Sequence, residues 1–499
     1  MSATTNYVAF DLGADSGRAV VGRLDGGKLV LKELHRFPNG PVRVLGALGR
    51  DHLHWDILRL FAEMKAALAR YVGEYGPQLT GMGVDTWGVD FGLLDAQGAL
   101  LGYPYHYRDQ RTEGMFEQAF RRVPREEVFE RTGIQFMEIN TLYQLLSMTL
   151  SKSPALDLAD RLLMIPDLLN YWLTGRKVCE FTDATTTQFY DPRKKGWSAE
   201  LLHKLGIPTH FLGEIVEPGT VLGPLHPAVR EETGLGEVRV IAPACHDTGS
   251  AVAAVPARGK NYAYISSGTW SLVGAEVAEP IITAESLTYN FTNEGGVCGT
   301  FRFLKNIMGL WLVQECRRAW AREGRQFTYD ELDDLAAKSA PFVALIEPND
   351  GAFLRPGDMP ARIQEYCQRT GQPVPQGEGA IIRCVMESLA FKYRWAVESL
   401  EKATGRRVES INIVGGGARD KLLSQFTADA TGRPVTAGPF EATAIGNILM
   451  QALACGDIAT LEEGREVVRR SFDVTTYEPQ HPERWEGPYA RYSSLTTSE

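Results

Sequence analysis

The sequence predicts an α/β protein of two domains, and three observations carry that expectation. A chain of 499 residues exceeds what one hydrophobic core organises, so two domains of roughly 200 to 250 residues each are expected. A strand–glycine turn–strand pattern opens the chain at Val8 to Leu24 and returns, without sequence identity, at Tyr262 to Val277. Apolar, β-rich runs end near acidic residues at Asp11, Asp85 and Asp247.

Composition narrows the function classes. Hydrophobic content of 44% and charged content of 23% are those of an ordinary globular protein. A net charge of −10 argues against non-specific nucleic-acid binding and against an anionic membrane surface. The polar stretch Met1 to Asn6, followed by Asp11 inside the next apolar run, is not expected to be a signal peptide. Seven scattered cysteines without a C-x-x-C pair suggest a reducing cytosol, with Cys367 and Cys384 the one pair to watch for a disulfide. Nine histidines without H-E-x-x-H make a zinc hydrolase a poor reading.

Taken in order, Val8 to Leu12 is a buried strand entering the small-residue turn Gly13 to Gly17. A second strand, Ala19 to Leu24, is joined to Leu29 to Leu31 by Asp25-Gly26-Gly27. An acidic strand end facing a glycine-rich turn suits phosphate and Mg²⁺, although a plain hairpin reads the same way. Trp55 to Val72 carries Ile57, Phe61, Met64 and Leu68 at helical spacing. Leu79 to Val84 is a strand ending at Asp85. The acidic residue, Trp87 and Gly88 then read either as a polyol pocket or as a core indole beside a turn. Tyr105 to Arg111 is a polar cluster among aromatics, Glu113 to Leu173 is mostly helical, and Phe181 to Thr187 reads as an inserted loop.

At Asp247 a strand should give way to a helix, where the carboxylate can take a proton or merely cap the helix. The amides at that helix start can hold phosphate. Lys305 to Trp311 is expected to start a helix carrying Gln314. Ser410 to Val414, three glycines (Gly415 to Gly417) and an amphipathic helix imply a backbone that a ligand approaches closely. The tail after Thr475 is expected to fray. Neither G-x-x-x-x-G-K-[ST] nor a correctly placed G-x-G-x-x-G occurs, so P-loop and dinucleotide-binding folds are set aside.

The order that remains resembles the sugar kinase, actin and chaperone-ATPase superfamily, and within it the chain is similar to the FGGY carbohydrate kinases. Asp11 to Arg18, Asp85 to Phe91, His246-Asp247-Thr248, Ser266 to Ser271, Lys305 to Trp311 and Val414 to Gly417 carry the resemblance, which runs from about Val8 to Asn447. It implies two actin-like (ribonuclease H-like) domains with the active site in the cleft between them. The N-terminal, sugar-binding domain would span 1–250, with a helical cap insertion over about 113–230, and the nucleotide-binding domain 251–499. It also implies ATP and Mg²⁺ as cofactors, a small-molecule ketose as partner, no nucleic acid or membrane, and a cytoplasmic location. Monomer and homodimer stay open.

By the same resemblance Asp247 would be the general base on the ketose 1-hydroxyl. Ala14, Asp15, Ser16, Gly17, Arg18, Thr269, Gln314 and Gly416 would hold ATP. Gly88, His246, Asp247, Thr248 and Asn306 would line the sugar site, and Asp11 would place Mg²⁺. Two departures from the wider family stand out. Ala14 replaces a common Thr, and Asn140 to Gln144 replaces a Lys–Trp pair; both weaken glycerol or xylulose as substrates. A chaperone-like or filament-forming ATPase would need a peptide-binding domain or a polymer surface. A sugar-responsive regulator with a dead kinase fold should lack Asp247 or the glycine turns, which are present.

Overall fold

The computed structural model describes residues 4–46 and 51–496. The chain forms two units that interleave along the sequence. The first takes residues 1–256, 276–303 and 442–471; the second takes 257–275, 304–441 and 472–499. A single division after residue 250 is therefore replaced by an exchange of segments.

The first unit is built on a six-stranded sheet. Its order is Thr220–Pro224, Arg239–Ala242, Gly81–Thr86, Thr5–Leu12, Ser16–Asp25 and Lys28–Pro38. Thr5–Leu12 pairs antiparallel with Ser16–Asp25, and the turn to Lys28–Pro38 is made by Gly26 and Gly27, both at positive φ. Two consecutive left-handed residues match the strand twist, which is why two glycines close this hairpin. Thr5–Leu12, Gly81–Thr86 and Arg239–Ala242 run parallel, so their carboxyl ends share one edge. Helix Ile57–Tyr75 buries Ile57, Leu60, Met64, Ala67, Leu68 and Tyr71 along one face. Phe61 is only half-buried and meets the edge of Trp172. Helices between Met115 and Leu205 have a core of their own, with Leu142, Leu145, Leu146, Leu162, Leu201 and Phe211 at its centre.

The segment that returns late in the chain explains the interleaving. Helix Ala442–Cys455 lies against the short helix Asp247–Ala253, and a Cβ added at Gly446 would fall 1.8 Å from Ser250 O. Only glycine permits that approach. Asn447 donates to Gly83 O at 3.3 Å and to Asp85 Oδ2 at 2.5 Å, and Gln451 donates to Val8 O at 3.0 Å.

The second unit repeats the opening motif, as the sequence suggested. Tyr262–Ser267 pairs antiparallel with the strand starting at Trp270 and parallel with Ser410–Val414, which continues to Val435–Ala437. Three local expectations change. Lys305 and Asn306 lie in strand Phe301–Met308, and the helix carrying Gln314 begins at Trp311. Phe181 to Thr187 is not a surface loop but a buried helical turn, because Glu180 caps it by accepting from the backbone N–H of Thr182 and Asp183. Among the described residues the tail does not fray: Thr475–Tyr477 pairs with Val435–Ala437, and Trp485 and Tyr492 pack against Phe391. Among the described residues no helix is long and apolar enough to cross a membrane.

Gly446→Ala is expected to lower unfolding free energy by about 2–3 kcal/mol, because Ser250 O is backbone and cannot step aside cheaply. Urea denaturation of the variant against the parent checks it; an unchanged midpoint would contradict the packing described.

Candidate active site

In the first unit the three parallel strands deliver three carboxylates to one edge. Asp11 and Asp85 are register partners on neighbouring strands. The third strand leads through Pro243 to Cys245, where Thr86 N–H donates to Cys245 O at 2.8 Å, and the helix begins at Asp247. That helix has seven residues, and Asp247 stands in its first turn while His246 occupies the cap position without a side-chain capping bond. Asp247 is thus not the cap.

Each carboxylate has a different setting. Asp11 is paired with Arg18, whose Nε and Nη2 lie 2.9 and 2.6 Å from Asp11 Oδ2. Asp85 is fully buried, and burial first, then the charge of Asp11, pushes its carboxyl well above the usual range. Its Oδ2 accepts from Asn447, while its buried Oδ1 has no hydrogen-bond partner. Asp247 keeps 31% of its side-chain surface open. The crowd of protein atoms around it still raises its pKa, His246 opposes that rise and Asp11 adds to it. Its Oδ1 accepts from Thr248 Oγ1 at 3.1 Å and lies 3.5 Å from His246 Nε2.

These residues fit a divalent cation. An orphaned carboxylate oxygen on Asp85, beside a second carboxylate on Asp11, is what a positive ion would relieve. Among the described residues no set of three or more His, Cys, Asp or Glu closes a metal shell by itself. Mg²⁺ does not need one, since it commonly takes one or two carboxylates and completes its shell with phosphate and water. Asp85 stood in the sequence only as part of a motif; its burial and register beside Asp11 single it out.

The turn after Leu12, expected to hold phosphate, is tied down from several sides. Gly13 N–H donates to Ser16 O at 3.0 Å, Asn39 Nδ2 to Gly13 O at 2.8 Å, and Asn39 N–H to Asp15 O at 3.0 Å. Gly17 must be glycine, because the Phe37 ring lies 2.3 Å from where its Cβ would stand. Ala14 and Asp15 therefore lie in the hairpin connection, and Ser16, Gly17 and Arg18 open its second strand, with Arg18 the register partner of Asp11 on the first.

Beyond Asp85 the chain makes a strained turn. Val89, a β-branched residue, sits at φ +68°, a conformation that persists only where neighbours enforce it. Val89 N–H donates to Thr186 Oγ1 at 3.0 Å, and its carbonyl accepts from Thr141 Oγ1 at 2.7 Å. Gly88 rests on Thr186, which a Cβ would strike at 2.8 Å. Asp90 is fully buried and accepts from the indoles of Trp55 and Trp87 at 2.6 and 3.0 Å and from Gln144 at 2.9 Å. Burial pushes Asp90 up to about 6 against those bonds. Trp87 stacks on Trp55 with centroids 3.8 Å apart and is core. The departure at Asn140 to Gln144 thereby finds a physical role: Thr141 and Gln144 hold the Val89–Asp90 turn.

A buried acidic layer holds the strand end before Asp247. Glu180 Oε2 accepts from Cys245 N–H at 3.0 Å, and Thr182 Oγ1 accepts from His246 N–H at 3.0 Å. Burial pushes Glu180 up to about 7, opposed by the bonds from Thr182, Cys245 and Asp183. Asp167 and Asp183, also buried, are raised in the same direction by burial and by neighbouring carboxyls. Nothing in the local sequence signalled these long-range bonds.

The second unit carries the remaining expected residues. Thr269 Oγ1 and Gln314 Oε1 are 3.3 Å apart, joined through a turn whose carbonyls accept from the N–H groups of Gly309, Leu310 and Trp311. Of the three glycines, Gly415 sits at φ +85° with a would-be Cβ 3.0 Å from Ser267 O, and that of Gly417 would strike Ser267 Oγ at 2.1 Å. Gly416 has open space within 4 Å. Two glycines thus serve packing, and the middle one presents bare backbone. Asn306 O accepts from Asn349 Nδ2 at 3.2 Å on strand Phe301–Met308. Cys367 and Cys384 are buried free thiols.

Comparison with known proteins identifies the family and the fold. Residues 6–254 match the N-terminal domain and residues 263–455 the C-terminal domain of the FGGY family of carbohydrate kinases. The chain belongs to that family. It is 46% identical over 489 residues to a rhamnulokinase of Bacteroides thetaiotaomicron, covering 98% of this chain and 99% of that one. It is 42% identical over 470 residues to a rhamnulokinase of Oceanobacillus iheyensis, covering 94% and 97%. Among solved structures, a gluconate kinase from Lactobacillus acidophilus superposes with a TM-score of 0.80 at 17% identity, covering 99% of this chain and 98% of that one, and so shares the fold.

Glu180→Gln is expected to flatten the pH dependence of stability. A carboxyl whose folded pKa is raised from 4.5 to about 7 costs no stability at or below the unfolded value. It loses stability progressively as pH rises toward 7, on the order of 3 kcal/mol in all. Urea midpoints between pH 5 and 8 should fall with pH in the parent and less steeply in the variant; parallel curves would exclude Glu180 as a contributor.

Proposed function

We propose that this FGGY carbohydrate kinase transfers the γ-phosphoryl group of ATP to the 1-hydroxyl of L-rhamnulose, with Asp247 as general base, in the cytoplasm. What supports the substrate is 40–46% identity over nearly the whole chain to relatives named rhamnulokinase. What supports the base is a part-open carboxylate in the first turn of a helix, steadied by Thr248 and facing His246.

A sugar hydroxyl is a very weak acid that gives up its proton late in phosphoryl transfer, so the base needs position more than a high pKa. Asp247 receives that proton. His246, Thr248, Gly88 and Asn306 hold the ketose, Gly88 standing directly before the strained Val89. Ala14, Asp15, Ser16, Gly17, Arg18, Thr269, Gln314 and Gly416 are the residues assigned to ATP. Asp11 and Asp85 would hold Mg²⁺, which when bound would neutralise phosphate charge. Without a ketose, water must be kept from the γ-phosphoryl, so ATP hydrolysis alone should be slow.

Two measurements follow. ADP release with Mg²⁺-ATP and a panel of L-rhamnulose, L-fuculose, D-xylulose, L-ribulose and glycerol should give its highest kcat/KM with L-rhamnulose. A different winner moves the substrate, and equal ADP release with and without sugar removes the kinase reading. Asp247→Asn should lower kcat by about 10²-fold or more with modest change in ketose KM. Because the Asp247 pKa is raised, parental kcat should fall as pH drops through that raised value. A near-parental kcat in the variant would remove Asp247 as the base.

A further inference from the structure

The side chain of Arg302 has no exposed surface, and none of the roles above uses it. Its Nε donates to Gly295 O at 2.7 Å. Its Nη2 lies 3.0 Å from His246 Nδ1 and 3.2 Å from Glu294 Oε2. Glu294 Oε2 is in turn 3.3 Å from His246 Nδ1, and His246 Nε2 is 3.5 Å from Asp247 Oδ1. All four residues belong to the first unit. They form a chain, Glu294–Arg302–His246–Asp247.

The chemistry of the guanidinium decides the state of the imidazole. Arginine is charged at every relevant pH and has only N–H donors, so the nitrogen facing it must supply a lone pair. His246 Nδ1 is then the acceptor, and the neutral ring carries its proton on Nε2, the nitrogen facing Asp247. A proton on Nδ1 would set N–H against N–H at 3.0 Å and turn the Nε2 lone pair toward a carboxylate oxygen. Glu294 also faces Nδ1 and would favour that proton, but Arg302 lies nearer and its charge answers that of Glu294.

We infer that Arg302, braced by Glu294, is a positioning residue for phosphoryl transfer: it holds His246 as the neutral Nε2–H tautomer, so that a donor and not a lone pair meets Asp247 and the substrate beside it. The kinetic part of this inference rests on the reading of Asp247 as the base of ketose phosphorylation; the tautomer does not.

The test has two parts. Long-range ¹H–¹⁵N spectra of the substrate-free full chain with ¹⁵N-labelled histidine, His246 being identified by its loss in His246→Gln, should show a protonated Nε2 and a bare Nδ1. A protonated Nδ1 overturns the inference, and this readout needs neither a ketose nor a folded Arg302 variant. Arg302→Met should lower kcat about tenfold, a share of the ~10²-fold that the base supplies, and leave the KM for ATP unchanged. In a His246→Gln background the same change should alter kcat less than about twofold, because Arg302 acts through His246. Effects that multiply in the double variant would mark a merely structural arginine and overturn the inference. Absence of ketose-dependent ADP release in the parent would instead overturn the proposed function, and the spectrum separates the two failures.

Discussion

Mutual repulsion among three carboxylates is the constraint around which the first unit is arranged. Parallel pairing of adjacent strands brings Asp11 and Asp85 side by side, and the next parallel strand leads to Asp247. In a low-dielectric setting such a group is costly unless cations, donors or protons offset it. Each remedy is present at a named place. Arg18 pairs with Asp11, Asn447 donates to Asp85, and burial first, then the charge of Asp11, leaves the proton affinities of Asp85 and Asp247 raised. A phosphoryl-transfer enzyme has reason to keep that imbalance if, as proposed, its nucleotide arrives with Mg²⁺.

The strand end before Asp247 shows how position is secured where regular pairing stops. Cys245 and His246 project past the ladder, and their backbone N–H groups are met by Glu180 and Thr182 instead of by a neighbouring strand. Glu180 is a demanding choice, since its carboxylate must be ionised in a fully buried place to accept well. The return is geometric. One side chain caps the turn of Phe181–Ala184 and fixes the entry to the Asp247 helix together, so the two cannot drift independently.

Much of this was legible in the sequence wherever the signal was local. The Gly26–Gly27 turn, the acidic strand ends and the strand–glycine–helix run at Ser410 to Lys421 each announce themselves within a dozen residues, and each is found. Gly415 to Gly417 read as a close-approach turn, although only the structure separates the packing glycines from the open one at Gly416. Legibility failed where the partner is remote. Phe181 to Thr187 looked like a polar loop because its threonines spend their hydroxyls on buried bonds that periodicity cannot show. The polar tail looked frayed because Gly487 and Pro488 interrupt the helix-face spacing of Trp485, Tyr489 and Tyr492, and the ring they pack on, Phe391, is remote in sequence. Arg302 and Glu294 carry no motif at all; their meaning comes from distances to His246.

The helix Ala442–Cys455 has a further consequence for how the chain is made. It backs the Asp247 helix and donates to Asp85, yet it lies almost two hundred positions downstream of Asp247. A ribosome that has released the first 256 residues has therefore not yet synthesised the piece that seals their apolar face. During that interval the nascent first unit exposes Ala244, Ala253 and the strand ends that Met450 and Gln451 later cover. Domain-by-domain folding in order of emergence is closed to this topology. The nascent first unit must wait, partly open, while nearly the whole second unit is translated.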